Sequence, residues 1–206
     1  MLRVFQSVGA RSIRPVARGV CAKHAVAPTR YFHASASFLE NVKRDKDSET
    51  SLYYHDIGNG TWAISLFEEP PKSQDAVTVI GKIQPGDKDP SEFVRSEPDN
   101  VTMNESFWKA LHQVLKENVT SDEQMETEAG IRENGWGHIV DARWAAMPGR
   151  NAPPEAIFGS VAFTDSKIVP DSYERNNMYR FSVKHEGPMK LRSHYLDALR
   201  THLKNN

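Results

Sequence analysis

The strongest hydrophobic pattern in the chain repeats every 3.6 residues, the period of an α-helix. Phe107, Trp108, Leu111, Val114, Leu115 and Val119 share one face, and Lys109, Gln113, Lys116 and Glu117 share the other. This alternation predicts an amphipathic helix. Thr102 and Glu105 stand three apart just before it, the spacing at which a hydroxyl and a carboxylate cap orphan N–H groups reciprocally. A second stripe, Leu191, Tyr195, Ala198, Leu199 and Leu203, follows Gly187-Pro188 and predicts a closing helix.

Elsewhere the period is two, which predicts strands. After the turn Gly58-Asn59-Gly60, Trp62, Ile64 and Leu66 alternate with Thr61, Ala63 and Ser65. A second strand falls at 77–83, before Pro85-Gly86-Asp87. A third is expected over 135–144, with Trp136, His138, Val140, Ala142 and Trp144 on one face and Ile139, Asp141 and Arg143 on the other. A fourth is expected over 157–163 and, after a turn through Asp171-Ser172, a fifth over 178–183. The Pro-containing stretch 84–101 reads as a long polar connector. The order β-β-α-β-β-β-α lacks the βαβ alternation that imposes a parallel sheet. It predicts an α+β fold, a five-stranded, mostly antiparallel sheet with helices packed on it.

Charge divides the chain. Residues 1–39 hold no Asp or Glu but carry six bases, Arg3, Arg11, Arg14, Arg18, Lys23 and Arg30. The remaining 20 basic and 27 acidic residues leave 40–206 with a formal charge of −7. On a helical wheel Arg3, Arg11, Arg14 and Arg18 fall in one arc opposite Leu2, Phe5, Val8, Ile13 and Val16, with Pro15 limiting the helix to 2–14. An Arg-rich, acid-free amphipathic start has the signature of a mitochondrial transit peptide, whereas a secretory signal needs an uninterrupted apolar core that is missing here. The stretch Arg30-Tyr31-Phe32-His33-Ala34-Ser35 resembles two-step presequences, in which one peptidase cuts two residues after an Arg and a second removes eight more. That resemblance implies cuts after Tyr31 and Leu39 and a mature start at Glu40, the first acidic residue. The alternative is a retained amphipathic surface anchor. The expected organisation is a removed segment 1–39, a polar lead-in 40–57 without apolar periodicity, and one domain over 58–206.

Composition then limits the chemistry. The mean hydropathy of −0.60 and the absence of any apolar run of about 18 residues argue against a transmembrane segment. The one cysteine, Cys21, lies in the segment expected to be removed, which leaves no thiolate nucleophile, disulfide or sulfur-ligated metal in the remainder. No P-loop, nucleophile elbow or paired-histidine zinc motif occurs, and no metal or cofactor is expected.

Four groups remain as candidates. Arg143, Arg150 and Arg180 with Tyr179 form a basic and aromatic set at expected strand ends and loops, where arginine forks commonly hold carboxylates or phosphates. The plainer reading pairs Arg143 with Asp141, two residues away. His138 is either a general base for such a site or a core histidine satisfied locally. His194 and Asp197, three apart on the last helix, read as a surface pair. Trp144, at a strand end before a Pro-rich loop, is the expected partner contact.

Three functions are compatible with this. The first is a non-catalytic matrix subunit or assembly factor docking on a respiratory complex or the mitochondrial ribosome. The second is a small enzyme holding an anionic metabolite through Arg143, Arg150 and Arg180. The third is an RNA-binding module stacking bases on Tyr53, Tyr54, Trp62 and Phe67, which a charge of −7 opposes. The docking reading fits best, and no nucleic-acid partner is expected.

Overall fold

The computed structural model describes residues 42–144 and 152–205. Arg30, Tyr31, Phe32, Leu39 and Glu40, where presequence processing is expected, and Arg150 lie outside these. The fold is α+β and contains a five-stranded antiparallel sheet, in the order β1-β2-β3-β4-β5. Its strands are β1 (Val42–Arg44), β2 (Tyr53–Asp56), β3 (Trp62–Ser65), β4 (Val79–Ile83) and β5 (Thr102–Met103). A separate antiparallel sheet holds β6 (Gly135–Val140), β7 (Ile157–Thr164) and β8 (Lys167–Arg175), and a short pair joins β9 (Ser182–Val183) to β10 (Gly187–Pro188). Four helices complete the fold: α1 (Pro90–Ser96), α2 (Glu105–Asn118), α3 (Glu123–Arg132) and α4 (Ser193–Lys204).

The two amphipathic patterns become α2 and α4, which pack on one another, and α2 also touches β4 and β8. It thereby connects the two larger sheets through one core that includes Ile64, Ile80, Phe107, Leu111, Leu115, Phe158, Phe163, Tyr195 and Leu199. Its cap differs from the expected Thr102/Glu105 box. Asn104 is the N-cap, its side chain accepting from Ser106 N–H at 3.1 Å while donating to Ala76 O and Val79 O. Thr102 is engaged in β5, so its backbone belongs to the sheet edge.

The stretch 40–57, read from its charges as a lead-in, contributes two strands from residue 42 onward. Leu52 and Tyr54 are wholly buried, and Asp45 is 5% exposed. The connector 84–101 contains α1, initiated by Asp89, whose carboxylate accepts from Ser91 N–H, with Pro90 in the first turn. The strand expected at 178–183 lies earlier instead. Asp165 and Ser166, both at positive φ (50° and 59°), make the two-residue turn that sends β8 back along β7. Pro170 is accommodated because β8 is an edge strand.

β6 presents the reverse of its expected faces. Gly137 and Ile139 point inward, whereas Trp136 and His138 are exposed. A Cβ at Gly137 would lie 2.2 Å from Phe163 Cζ and 2.8 Å from Met125 Cε, so the glycine makes room for two core side chains. The strand also stops at Val140 rather than Trp144. The Asp141 carboxylate accepts from Arg143 N–H at 2.9 Å and Asp141 O accepts from Trp144 N–H at 3.0 Å, which turns the chain. Among the described residues, no helix is long and apolar enough to cross a membrane.

Candidate functional site

The turn after β6 brings together two members of the expected basic and aromatic set. Asp141 is fully buried. Its Oδ1 accepts from the main-chain N–H groups of Arg143 at 2.9 Å and Lys190 at 3.1 Å. Its Oδ2 accepts the Tyr179 hydroxyl at 2.7 Å and lies 2.9 Å from Arg143 Nη2. The Arg143 side chain, 1% exposed, also donates to three carbonyls: Gly187 at 2.7 Å, Phe181 at 3.3 Å and Arg180 at 2.8 Å. The Tyr179 ring stacks on Phe158 at 4.4 Å. Burial, reinforced by the Asp141 charge, pushes its hydroxyl well above the ordinary value, so it stays protonated at neutral pH.

This arrangement leaves little capacity for a ligand. The Asp141 carboxylate accepts three hydrogen bonds and one ion pair, and the terminal nitrogens of Arg143 are occupied by carboxylate and main chain. Arg180 points elsewhere, its side chain 61% exposed and its Nη1 3.0 Å from Asp99 Oδ1. The anion site expected of Arg143 and Arg180 is therefore not assembled by these two residues. What is assembled is a structural clasp between the end of β6 and the segment 179–190.

The same clasp occurs twice more. Asp45 Oδ2 accepts the Tyr54 hydroxyl at 2.6 Å and Ser91 Oγ at 3.0 Å, and Arg95 bonds both carboxylate oxygens. Asp122, 1% exposed, accepts the Tyr195 hydroxyl at 2.9 Å and both terminal nitrogens of Arg192 while capping α3 through Gln124 N–H and Met125 N–H. Three buried aspartates are thus each held by one tyrosine and one arginine. In the Asp45 clasp burial acts to raise the carboxyl, but hydrogen bonds from Arg95, Tyr54 and Asp47 outweigh it and hold the group below its ordinary range.

The remaining expected residues are scattered. His138 is exposed on the outer face of β6, with Nδ1 2.8 Å from Ser160 Oγ on β7. Trp144 is half-buried beside the clasp. His194 lies 3.9 Å from Asp122 Oδ2. Tyr54 is buried and Trp62 carries Lys43 over its ring at 5.3 Å, so the aromatic set considered for base stacking does not form one open face. Among the described residues, no group of three or more His, Cys, Asp or Glu is placed to share a metal.

Several concavities stand near these elements, among them one of about 470 Å³ lined by Asp99, Arg180 and Ser182 and one of about 480 Å³ lined by Asp122, Arg192 and His194. A polar groove of about 720 Å³ includes Lys82, Gln84, Glu97, Asn100 and Thr102. Its charged groups are paired, Lys82 with Asp75 at 2.9 Å and Glu97 with Lys88. A smaller cavity of about 110 Å³ lies between α2 and the end of β8, lined by Glu105, Trp108, His112, Arg175 and Tyr179. His112 Nδ1 is 2.7 Å from the Tyr173 hydroxyl, and burial, with the Arg175 charge adding, lowers the imidazole to about 4. His112 is neutral at physiological pH and is a hydrogen-bonded core group.

The residues that the sequence did not single out are Trp136 and Ile131. Trp136 is 44% exposed and Ile131 77% exposed, on either side of the turn from α3 into β6. The glycine beside Trp136 is the signal that could have identified its outward face. No family model, curated protein or solved structure matches this chain.

Proposed function

We propose that this chain is a mitochondrial matrix protein that docks, without catalysis, on a larger assembly such as a respiratory complex or the mitochondrial ribosome, as a subunit or assembly factor. The observation that carries the reading is the placement of Trp136, 44% exposed on the outer face of an edge strand, while Asp141 and Arg143, past the far end of that strand, are closed inside the fold. Tryptophan is costly to leave in water and is enriched among interface anchors. The mitochondrial address is supported by the acid-free, arginine-bearing segment 1–39.

The enzyme reading holds an anion through Arg143, Arg150 and Arg180; Arg143 lies in a closed clasp and Arg180 pairs with Asp99, while Arg150 lies outside the described residues, so the docking reading is preferred. The experiment is native electrophoresis of the tagged protein from detergent-solubilised mitochondria, with identification of co-migrating chains. Migration with a respiratory or ribosomal assembly is expected. Migration at the mass of a monomer or small homo-oligomer would overturn the docking reading.

A further inference from the structure

The corner between α3 and β6 combines three features. The first is apolar exposure, from Ile131 and Trp136. The second is an open main-chain edge. Among the described residues, in the order β6-β7-β8, β6 has one ladder neighbour. In an antiparallel ladder a residue directs its N–H and C=O to the same side, alternately toward and away from the partner strand. The Trp136 carbonyl accepts from Arg132 Nη1 at 3.1 Å, which identifies Trp136, and by alternation His138, as the residues facing outward from the edge. The third is charge. Glu128 and Glu133 flank this corner with Arg132, which pairs with Glu128 at 3.0 Å. The β7–β8 turn adds Asp165 and Lys167, held here by Ser166 N–H donating to Glu133 O at 2.8 Å. Three carboxylates, Glu128, Glu133 and Asp165, therefore stand with two cations at this corner.

We infer that the β6 edge accepts an extended, basic segment of a partner protein as a fourth strand of this sheet, its apolar residues on Trp136 and its cations, on the opposite face, beside Ile131 and these glutamates. The inference rests on the docking reading and names the chemistry of the contact. Strand addition supplies affinity through main-chain hydrogen bonds, and alternate side chains supply selectivity. β6 is six residues long, which sets the length of the added strand. Charge complementarity selects the partner's sign, and it makes association dependent on ionic strength. Arg132 occupies the first outward carbonyl and must swing aside, which its half-exposed side chain permits.

The test uses the full chain with a capped eight-residue peptide of alternating lysine and valine, against a control of alternating glutamate and valine. Amide hydrogen exchange at Trp136 and His138 is followed at low and high salt. The expected result is at least tenfold slower exchange at these two amides with the lysine peptide, weakened by salt and by Trp136→Ala or Ile131→Ala. Unchanged exchange at saturating peptide, or equal protection by the glutamate peptide, overturns the inference. Concentration-dependent protection without peptide overturns it too, because a second copy then fills the edge. Native migration separates the two readings. If the Trp136→Ala and Ile131→Ala variants still migrate with the large assembly, docking stands and this edge is not its contact. If the unaltered chain migrates alone yet the lysine peptide protects β6, the edge stands and the assembly does not.

Discussion

The hydroxyl of Tyr179 lies 2.7 Å from Oδ2 of Asp141, a bond between residues 38 apart in the chain. The same relation joins Tyr54 to Asp45 at 2.6 Å and Tyr195 to Asp122 at 2.9 Å, each time with an arginine on the same carboxylate. Each clasp binds a turn or helix start to a distant segment: β1 to α1, the end of β6 to β10, and α3 to α4. Buried ion pairs contribute little when intact, since desolvation offsets attraction, but breaking one strands a charge. The clasps therefore fix which segments meet.

Replacing one partner of the innermost clasp should reveal this asymmetry. Asp141→Ala leaves the 1%-exposed Arg143 without its counter-charge, and a loss of about 3–5 kcal/mol is expected. Tyr179→Phe removes one hydrogen bond to a charged acceptor, for a loss of about 1.5–3 kcal/mol. Urea denaturation measures both, and a midpoint for Asp141→Ala equal to that of the unaltered protein would falsify the structural role.

His112 predicts a pH dependence of stability between pH 6.5 and about 4. Its folded value is lowered to about 4, so across that window the unfolded chain binds a proton that the folded chain refuses. Stability from this group is fully present above 6.5 and declines as the pH falls, by up to about 3 kcal/mol. His55 and His194 are also lowered by burial and add to the slope. His112→Phe should reduce the dependence of the urea midpoint on pH in this range without abolishing it, and an unaltered slope would count against the assignment.

Asp45 acts in a more acidic window. Its folded value is held below the ordinary 3.8, so the stability it contributes is present above that value and is lost as the pH falls through the lowered one. Acid unfolding followed by circular dichroism below pH 4 should be less steep in Asp45→Asn than in the unaltered protein. Equal steepness in the two would mean that Arg95 and Tyr54 do not hold the carboxylate in its charged form.

These clasps also explain which parts of the fold were legible in the sequence. The helices α2 and α4 were, because a 3.6-residue stripe is a local signal. The first two strands were not, because Asp45 and Lys43 read as solvated charges until Arg95 arrives from 50 residues away. Arg143 could be paired with Asp141 from their spacing alone, but the inclusion of Tyr179 and the exclusion of Arg180 depend on the path of the segment after β8. α1 was announced by Asp89-Pro90, a helix-start signal hidden among the prolines of the connector. Alternation identified β6 but left two possible inner faces, and burying the tryptophan face was the natural choice. The volume of Phe163, on a different strand, decides otherwise.

That decision can be tested at one atom. Gly137→Ala places a methyl group 2.2 Å from Phe163 Cζ, closer than any tolerated contact. Overpacking of this kind costs about 1–3 kcal/mol. The loss should be partly recovered in the double variant with Phe163→Leu, because shortening the ring side chain vacates the contested space. Thermal unfolding of the two single variants and the pair provides the cycle. Additive losses would mean that Gly137 and Phe163 do not compete for one volume and that the inward face of β6 is set by something else.

The N-terminal segment yields the last prediction. Acidic residues are absent from 1–39 and begin at Glu40, and the Arg30-Tyr31-Phe32 stretch resembles a two-step processing site. An import sequence must remain free of acids to keep its cationic amphipathic face, whereas a mature matrix domain is under no such constraint, so the change in composition marks the expected boundary. N-terminal sequencing of the protein purified from mitochondria should begin at or within a residue or so of Glu40. Arg30→Ala should shift or block the first cut and leave a longer product. A terminus at Met1 in protein recovered from mitochondria would show instead that the segment is retained, and the amphipathic anchor reading would replace the cleaved presequence.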